Sequence, residues 1–317
     1  MFPTKILLAT DGSAEATRAA RMAITLSKEL DSELHIVYVE PLPDPFATPE
    51  FLSRYPDFRD ELRKIAERQA TEKLDKEAEK IREMGKVAGT HARIGRPDAE
   101  IASLAEEIGA GLVVVGSRGL GRIRRALMGS ISDSVVHHAY CPVLVVRDGQ
   151  GEYLPGRILL ALDGSEEAEA AARAAMEISN ATGSELHIVF ALRTDPQLPY
   201  PYPLLGERWG SIIEQAKRDA RMFVDAMAEE IEAEGCKVKD AHLVFGKPEA
   251  EIVKLGEELE AGLIVVGSRG LGGVDRALMG SVSDSVVRHA HGPVLVVRSG
   301  ERQREAVART AEERAQT

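Results

Sequence analysis

One long stretch of the sequence occurs twice. Residues 111–147 and residues 262–298 align without a gap and are identical at 29 of 37 positions. The two copies lie 151 residues apart, which is the length of a domain and far exceeds the period of a solenoid repeat. We therefore predict two similar domains in tandem, at 1–148 and 157–299, followed by a charged tail at 300–317.

Each half alternates short apolar runs with segments of helical pattern. The runs lack polar–apolar alternation, which is typical of strands that are covered on both faces. The predicted strands lie at 5–10, 33–40, 87–94, 112–115 and 143–146, and in the second half at 157–162, 185–192, 238–245, 263–266 and 294–297. The pattern predicts an α/β fold with two tandem Rossmann-like domains, each a five-stranded parallel sheet with helices on both faces.

Composition and charge exclude several classes of partner. The chain of 317 residues has a net charge of -11 and only 4% aromatic residues. An acidic chain disfavours non-specific binding to nucleic acid or anionic lipid, and few aromatic residues disfavour the stacking of RNA bases. No apolar run approaches the roughly 20 residues of a membrane span, and the N-terminus lacks a secretory pattern. We predict a cytoplasmic protein that binds neither nucleic acid nor membranes.

The two cysteines do not predict a disulfide or a metal site. Cys141 and Cys236 fall in different halves at non-equivalent positions, and the repeat of Cys141 is Gly292. Neither has histidine or cysteine partners at the spacing of a zinc site. We interpret both as small packing residues in a reducing compartment.

The repeated stretch contains a glycine-rich loop between a predicted strand and a predicted helix. Glycines allow the backbone to approach a ligand closely, and the free N–H groups at the start of the next helix attract phosphate. The lysine of a Walker motif is absent, and the turn after the first strand is not a dinucleotide fingerprint. The loop residues with candidate roles are Gly116, Arg118, Gly119, Gly129, Ser130 and Ser132, and in the second copy Gly267, Arg269, Gly270, Gly280, Ser281 and Ser283.

An aspartate follows the first strand of each half, in an Asp-Gly-Ser turn at Asp11 and at Asp163. Ligands of doubly wound sheets bind at the carboxyl ends of strands, where the strand order reverses. Because the glycine loop also begins at the carboxyl end of a strand, we expect aspartate and loop to share one pocket. The alternative is that the carboxylates merely cap the following helices.

The glycine spacing, the aspartate and the ending Pro-Val-Leu-Val-Val resemble the ATP-binding branch of the universal stress protein family, twice and over nearly the whole chain. The resemblance implies the strand order 3-2-1-4-5 and the binding of ATP together with Mg2+. It places adenine and ribose near Asp11 and Asp163, and the phosphates on the glycine loops. In that family the fifth strands often pair, which implies an intramolecular pseudo-dimer of the two domains and a homodimer of the chain.

Several other side chains have two interpretations. Arg118 and Arg269 are either phosphate partners or solvated loop charges. His35 and His187 repeat within the second strand, a position that favours packing over chemistry. The helix after the loop carries further histidines that we interpret as surface or packing residues, so that no metal ligand is assigned: His137, His138 and His289.

The two loops differ in charge between their glycines. The first copy has Arg122, Arg124 and Arg125, whereas the second has Gly273, Asp275 and Arg276. A carboxylate near a triphosphate opposes binding. We therefore expect the first site to bind ATP more tightly than the second.

Three functions are compatible with these observations. The first is a nucleotide-dependent regulatory module of the stress response that binds ATP and has no catalytic residues. The second is a weak ATPase or an autokinase, with Ser130 and Ser132 as conceivable acceptors, although no convincing base is evident for activating water. The third is a scaffold or chaperone that does not use nucleotide, in which the glycine loops are remnants.

Overall fold

The computed structural model describes residues 3–41, 56–119, 128–147, 155–193, 206–270 and 279–299. The chain divides between Asp148 and Gly149 into two compact units. The predicted tail at 300–317 lies outside the described residues. No helix within the described ranges is long and apolar enough to cross a membrane.

The first unit alternates five strands and four helices along the described chain. In order they are β1 Lys5–Ala9, α1 Ala14–Glu29, β2 Glu33–Glu40, α2 Pro56–Met84, β3 Gly89–Ile94, α3 Pro97–Ile108, β4 Leu112–Gly116, α4 Ser130–His138 and β5 Val143–Val146. The strands are all parallel, in the spatial order β3-β2-β1-β4-β5. The predicted fold class and strand order are confirmed for this unit.

The second unit repeats the same elements. They are β6 Arg157–Leu162, α5 Glu166–Thr182, β7 Glu185–Arg193, α6 Gly206–Ala233, β8 Val238–Gly246, α7 Pro248–Glu258, β9 Leu263–Gly267, α8 Ser281–His289 and β10 Val294–Val297. Its parallel strands have the order β8-β7-β6-β9-β10, which is the same topology.

The core lies where the helices cover the central strands. Ile6, Leu7 and Leu8 of β1 are fully buried, as are Ile158 and Leu159 of β6. Because consecutive residues of a strand point to opposite faces, burial of all of them shows that both faces of the sheet are covered. The absence of alternation in the sequence had the predicted meaning.

The helix boundaries follow from local signals. Ser13 caps α1, because its hydroxyl oxygen accepts from the N–H of Ala16 at 3.1 Å. Pro97 opens α3, where the missing N–H costs nothing, and Gly109 ends it in the left-handed conformation. The helices α2 and α6 begin a few residues earlier than predicted, at Pro56 and Gly206.

Candidate functional site

The structure brings the first-strand aspartate and the glycine loop to one edge of the sheet. Strand β4 lies between β1 and β5, with Leu8 opposite Val114 and Gly116 opposite Val146. The chain leaves β1 and β4 at their carboxyl ends, and its next segments, β2 and β5, lie on opposite sides of this pair. This is the point at which the strand order reverses, so the two polar segments meet there.

The aspartate carboxylate lies directly against the second glycine of the loop. A Cβ atom at Gly119 would be 2.3 Å from Oδ2 of Asp11, and one at Gly270 would be 2.1 Å from Oδ2 of Asp163. Real Cβ atoms do not approach other atoms so closely. These two positions are therefore glycine because the carboxylate occupies the space that a side chain needs.

The other carboxylate oxygen holds the turn after the first strand. Oδ1 of Asp11 accepts from the N–H of Ser13 at 3.0 Å, and Oδ1 of Asp163 accepts from the N–H of Ser165 at 3.0 Å. The helix caps themselves are the serines, not the aspartates. The capping interpretation of Asp11 and Asp163 is wrong, since each carboxylate fixes the turn with one oxygen and presents the other to the loop.

Backbone hydrogen bonds close the two ends of each loop. The N–H of Gly129 donates to the carbonyl of Ser117 at 2.8 Å, and the N–H of Gly280 donates to the carbonyl of Ser268 at 2.8 Å. The strand end and the helix start are thus held together, whatever path the residues between them take. Those residues include Arg122, Arg124, Arg125, Gly273, Asp275 and Arg276, so the charge difference predicted for the two loops lies outside the described residues.

The helix after each loop begins without a side-chain cap. Gly129 is the N-cap of α4 and Gly280 that of α8, both with extended backbone, and no side chain accepts from the first turn. Each helix starts with an exposed serine, Ser130 or Ser281. The first turns therefore present backbone N–H groups and a positive dipole end, the arrangement that binds anions in many proteins.

The two candidate serines of each copy have different environments. Ser132 is 6% exposed and donates to the carbonyl of Gly116 at 2.6 Å, and Ser283 is 5% exposed and donates to that of Gly267 at 2.6 Å. Their hydroxyl protons tie the helix to the end of the strand. In this structure these serines hold the loop in shape, while Ser130 and Ser281 stand at the surface.

Arginines concentrate positive charge beside the loop. Arg118 is half-buried, and Arg269 is only 6% exposed. Arg147, directly after β5, was missed in the sequence; burial lowers its pKa, and the nearby charge of Arg118 lowers it further. The ending Val-Val-Arg, common to both copies, was the available signal, with Arg298 in the second. Clustered cations at a buried edge favour an anionic ligand.

The first site contains features that fit a phosphate-bearing ligand. A side chain at Gly119 would fill the space beside Asp11, so the cradle exists only with glycine. Ser117 is 1% exposed, and its hydroxyl oxygen has no hydrogen-bond partner within the described part of the chain. Together with the uncapped start of α4, these features provide donors without internal acceptors. A phosphate group supplies such acceptors.

The strand histidines form pairs that the sequence did not predict. Nδ1 of His35 lies 3.1 Å from Nε2 of His91, and Nδ1 of His187 lies 3.2 Å from Nε2 of His242. Burial lowers the pKa of His91 and of His187, and the charge of the partner ring lowers each further. The interpretation of His35 and His187 as packing residues agrees with these positions, which lie in the strands and away from the loop.

The remaining histidines and the cysteines also have local partners or burial. The ring of His137 contacts the carbonyl of Asp133 at 2.7 Å, and that of His138 contacts the carbonyl of Ser134 at 2.7 Å. Among the described residues, no group of three or more histidine, cysteine or acidic side chains is arranged to hold a metal ion. Cys141 and Cys236 are buried free thiols.

Comparison with known proteins gives one consistent result. A family model described as the universal stress protein family matches residues 3–147 and again residues 155–298. A universal stress protein of Methanocaldococcus jannaschii is 32% identical over 154 residues, covering 49% of this chain and 87% of the relative. One of Bacillus subtilis is 35% identical over 145 residues, covering 45% of this chain and 98% of the relative.

Solved structures resemble the chain over nearly its full length. The crystal structure of a universal stress protein from Archaeoglobus fulgidus has a TM-score of 0.66 and 28% identity, covering 94% of this chain and 97% of its own. A putative universal stress protein from Pseudomonas aeruginosa has a TM-score of 0.65 at 18% identity, covering 97% and 98%, which shows the fold alone.

Proposed function

The chain belongs to the universal stress protein family, and we propose that each of its two domains is a nucleotide-binding module that takes ATP. The observation that carries the proposal is the contact between the aspartate carboxylate and the glycine loop, which occurs in both domains. It joins a group that suits hydroxyls to a loop that suits phosphates. Binding of the nucleotide then regulates what the protein associates with in the stress response.

The phosphates are assigned to the glycine loop and the start of the next helix. In the first domain the backbone N–H groups that follow Gly129 point out of an uncapped helix end, and Ser130 adds an exposed hydroxyl. Arg118 and Arg147 supply positive charge from the adjacent strand ends. Charge-assisted hydrogen bonds of this kind are about twice as strong as neutral ones.

The ribose is assigned to the aspartate. The carboxylate of Asp11 cannot face a phosphate without repulsion, but it accepts hydrogen bonds from hydroxyl groups. Its position beside Gly119 places it next to the loop. A nucleotide whose phosphates lie on the loop thus has its sugar within reach of the carboxylate, and Asp163 has the same relation to Gly270 in the second domain.

Magnesium accompanies the nucleotide in this proposal. The described residues form no cage of three or more metal ligands. Mg2+ commonly keeps several waters and uses one or two carboxylates together with phosphate oxygens. The ion therefore depends on the nucleotide for its ligands, and we expect little Mg2+ binding in its absence.

A weak ATPase or an autokinase is the alternative that shares this site. Ser132 is a poor acceptor for a phosphoryl group, because it is buried and its proton is engaged with Gly116. Ser130 is exposed at the helix start and is the better candidate. The scaffold or chaperone alternative needs no nucleotide at all, and the pairing of the fifth strands and homodimer formation stay predictions.

The first test is to denature freshly purified protein and identify any released nucleotide by chromatography and mass spectrometry. The second is calorimetric titration of nucleotide-free protein with ATP and Mg2+, using Gly119→Val and Gly270→Val to disable one site at a time. Gly156→Ala is the matched control, since a Cβ there meets nothing within 4 Å. We expect two binding events in the control and one in each site variant.

Two results would contradict the proposal. If no nucleotide is released and no heat of ATP binding is measured, the scaffold alternative replaces it. If both site variants bind ATP as the control does, the loops are not the site. Turnover of ATP or labelling of Ser130 would instead support the enzymatic alternative.

A further inference from the structure

The two candidate sites differ on the side of the Asp-Gly turn that faces the long helix. A Cβ at Gly12, next to Asp11, would lie 3.2 Å from Oε1 of Glu77 on α2. A Cβ at Gly164 would lie 3.4 Å from Cε2 of Phe223 on α6. Corresponding turns in the two domains thus face a carboxylate in one and an aromatic ring in the other.

The difference extends over a group of equivalent positions at the end of the second strand and on the long helix. Strand positions are matched by their distance from the aspartate, and helix positions by their distance from the glycine that follows the helix, Gly85 or Gly235. The matched pairs are Tyr38 with Phe190, Glu40 with Leu192, Lys73 with Phe223 and Glu77 with Met227. Every position changes from polar to apolar between the first and the second domain.

In the first domain these positions form a charged surface, which we call the ion-pair wall: Tyr38, Glu40, Lys73 and Glu77. Nζ of Lys73 lies 3.0 and 2.8 Å from the two carboxylate oxygens of Glu40 and stands over the ring of Tyr38 at 5.6 Å. Oε1 of Glu77 accepts from Nζ of Lys80 at 2.6 Å. The wall is neutralised by its own ion pairs, and a flat apolar ligand placed on it would desolvate those charges.

In the second domain the same positions form an apolar surface, the phenylalanine wall: Phe190, Leu192, Phe223 and Met227. The rings of Phe190 and Phe223 meet edge to face, with their centroids 5.1 Å apart and their planes at 62°. All four side chains are only partly buried, so apolar surface remains exposed beside the Asp163 turn. An exposed aromatic ring next to a phosphate-binding loop is a suitable partner for a planar base.

We infer that the two sites are specialised: the second holds the base of its nucleotide against Phe223, whereas binding in the first depends on the phosphates with little contribution from the base. The inference rests on the proposed function, since it assumes that phosphates lie on the glycine loops. The aspartate separates the loop from the wall in each domain, so a nucleotide that spans from one to the other reaches the wall with its base.

The test compares ATP with inorganic tripolyphosphate, both with Mg2+, by calorimetry on single-site chains. Gly119→Val leaves the second site and Gly270→Val leaves the first. Stacking on an aromatic side chain is worth about tenfold or more in affinity. We therefore expect the second site to prefer ATP over tripolyphosphate by about tenfold or more, and the first site to bind both within about threefold.

Phe223→Leu in the Gly119→Val chain tests the ring itself. Leucine keeps an apolar side chain against Phe190 and preserves folding, but it provides no ring for stacking. We expect ATP affinity to fall by about tenfold, with tripolyphosphate affinity unchanged. Met222→Ala is the matched control on the same helix, because Met222 is 62% exposed and lies outside the wall.

The outcomes separate this inference from the proposed function. If ATP binds to the second site and Phe223→Leu leaves its affinity unchanged, the inference is wrong while the nucleotide function stands. The inference is also overturned if the first site prefers ATP over tripolyphosphate as strongly as the second. If neither ligand binds to the unmodified chain, the proposed function fails and the inference fails with it.

Discussion

The contact between Gly270 and Asp163 leads to a quantitative prediction for Gly270→Ala. The new Cβ would lie 2.1 Å from Oδ2, so the two atoms must separate by about 0.9 Å to reach the 3.0 Å below which real contacts are essentially never seen. Gly270 is not among the glycines with positive φ, so alanine meets no backbone strain there. The whole effect comes from the collision with the carboxylate.

The carboxylate is poorly able to move away. Its Oδ1 accepts from the N–H of Ser165 at 3.0 Å and from the hydroxyl of Ser165 at 2.6 Å. Overpacking typically costs about 1–3 kcal/mol, and each lost hydrogen bond costs about 1 kcal/mol. We expect Gly270→Ala to lower the free energy of unfolding of the second domain by about 2–3 kcal/mol and to weaken ATP binding at that site.

The assay is urea denaturation monitored by circular dichroism, with calorimetric titration of ATP on the same samples. Asp163→Ala provides the critical comparison, because in that background the added methyl group has no carboxylate to meet. The double-mutant cycle should show a coupling energy of at least about 1 kcal/mol between the two positions. Equal costs of Gly270→Ala with and without Asp163, or no cost at all, would refute the steric argument.

Three further predictions concern the histidine pairs and the serines. Because the pKa of His91 and of His187 is lowered in the folded state, the unfolded chain binds protons first as the pH falls below about 6.5; the free energy of unfolding is retained above that pH and decreases below it. Urea denaturation at a series of pH values should show this decrease, and His91→Gln with His187→Gln should reduce the slope; an unchanged slope would contradict the assignment. Ser132→Ala removes the donor to the carbonyl before the loop and should cost about 1 kcal/mol in unfolding and also weaken ATP binding, whereas an effect on neither would show that the bond does not hold the loop. Ser13→Ala removes the cap of α1 and should cost about 1 kcal/mol, while Ser13→Asn should restore most of it.

The tandem organisation and the topology of each domain could be predicted from the sequence. The repeat makes the two halves visible without any structure, and unbroken apolar runs identify strands buried on both faces. These signals are local, because a strand or a helix forms from residues adjacent in the chain. The glycine spacing and the Asp-Gly-Ser turns were also readable, since backbone conformation restricts which residues fit at such positions.

The contacts within the site could not be predicted in the same way. That Asp11 meets Gly119, or that His35 meets His91, depends on the register between strands that are far apart in the chain. The exchange of Lys73 for Phe223 beside the turn is visible in the sequence only after the helices have been placed. The sequence by itself determined the elements and the candidate ligand class, because these follow from short-range patterns and backbone preferences. Only the tertiary structure decided which side chains face one another, because packing brings together residues that no sequence period connects.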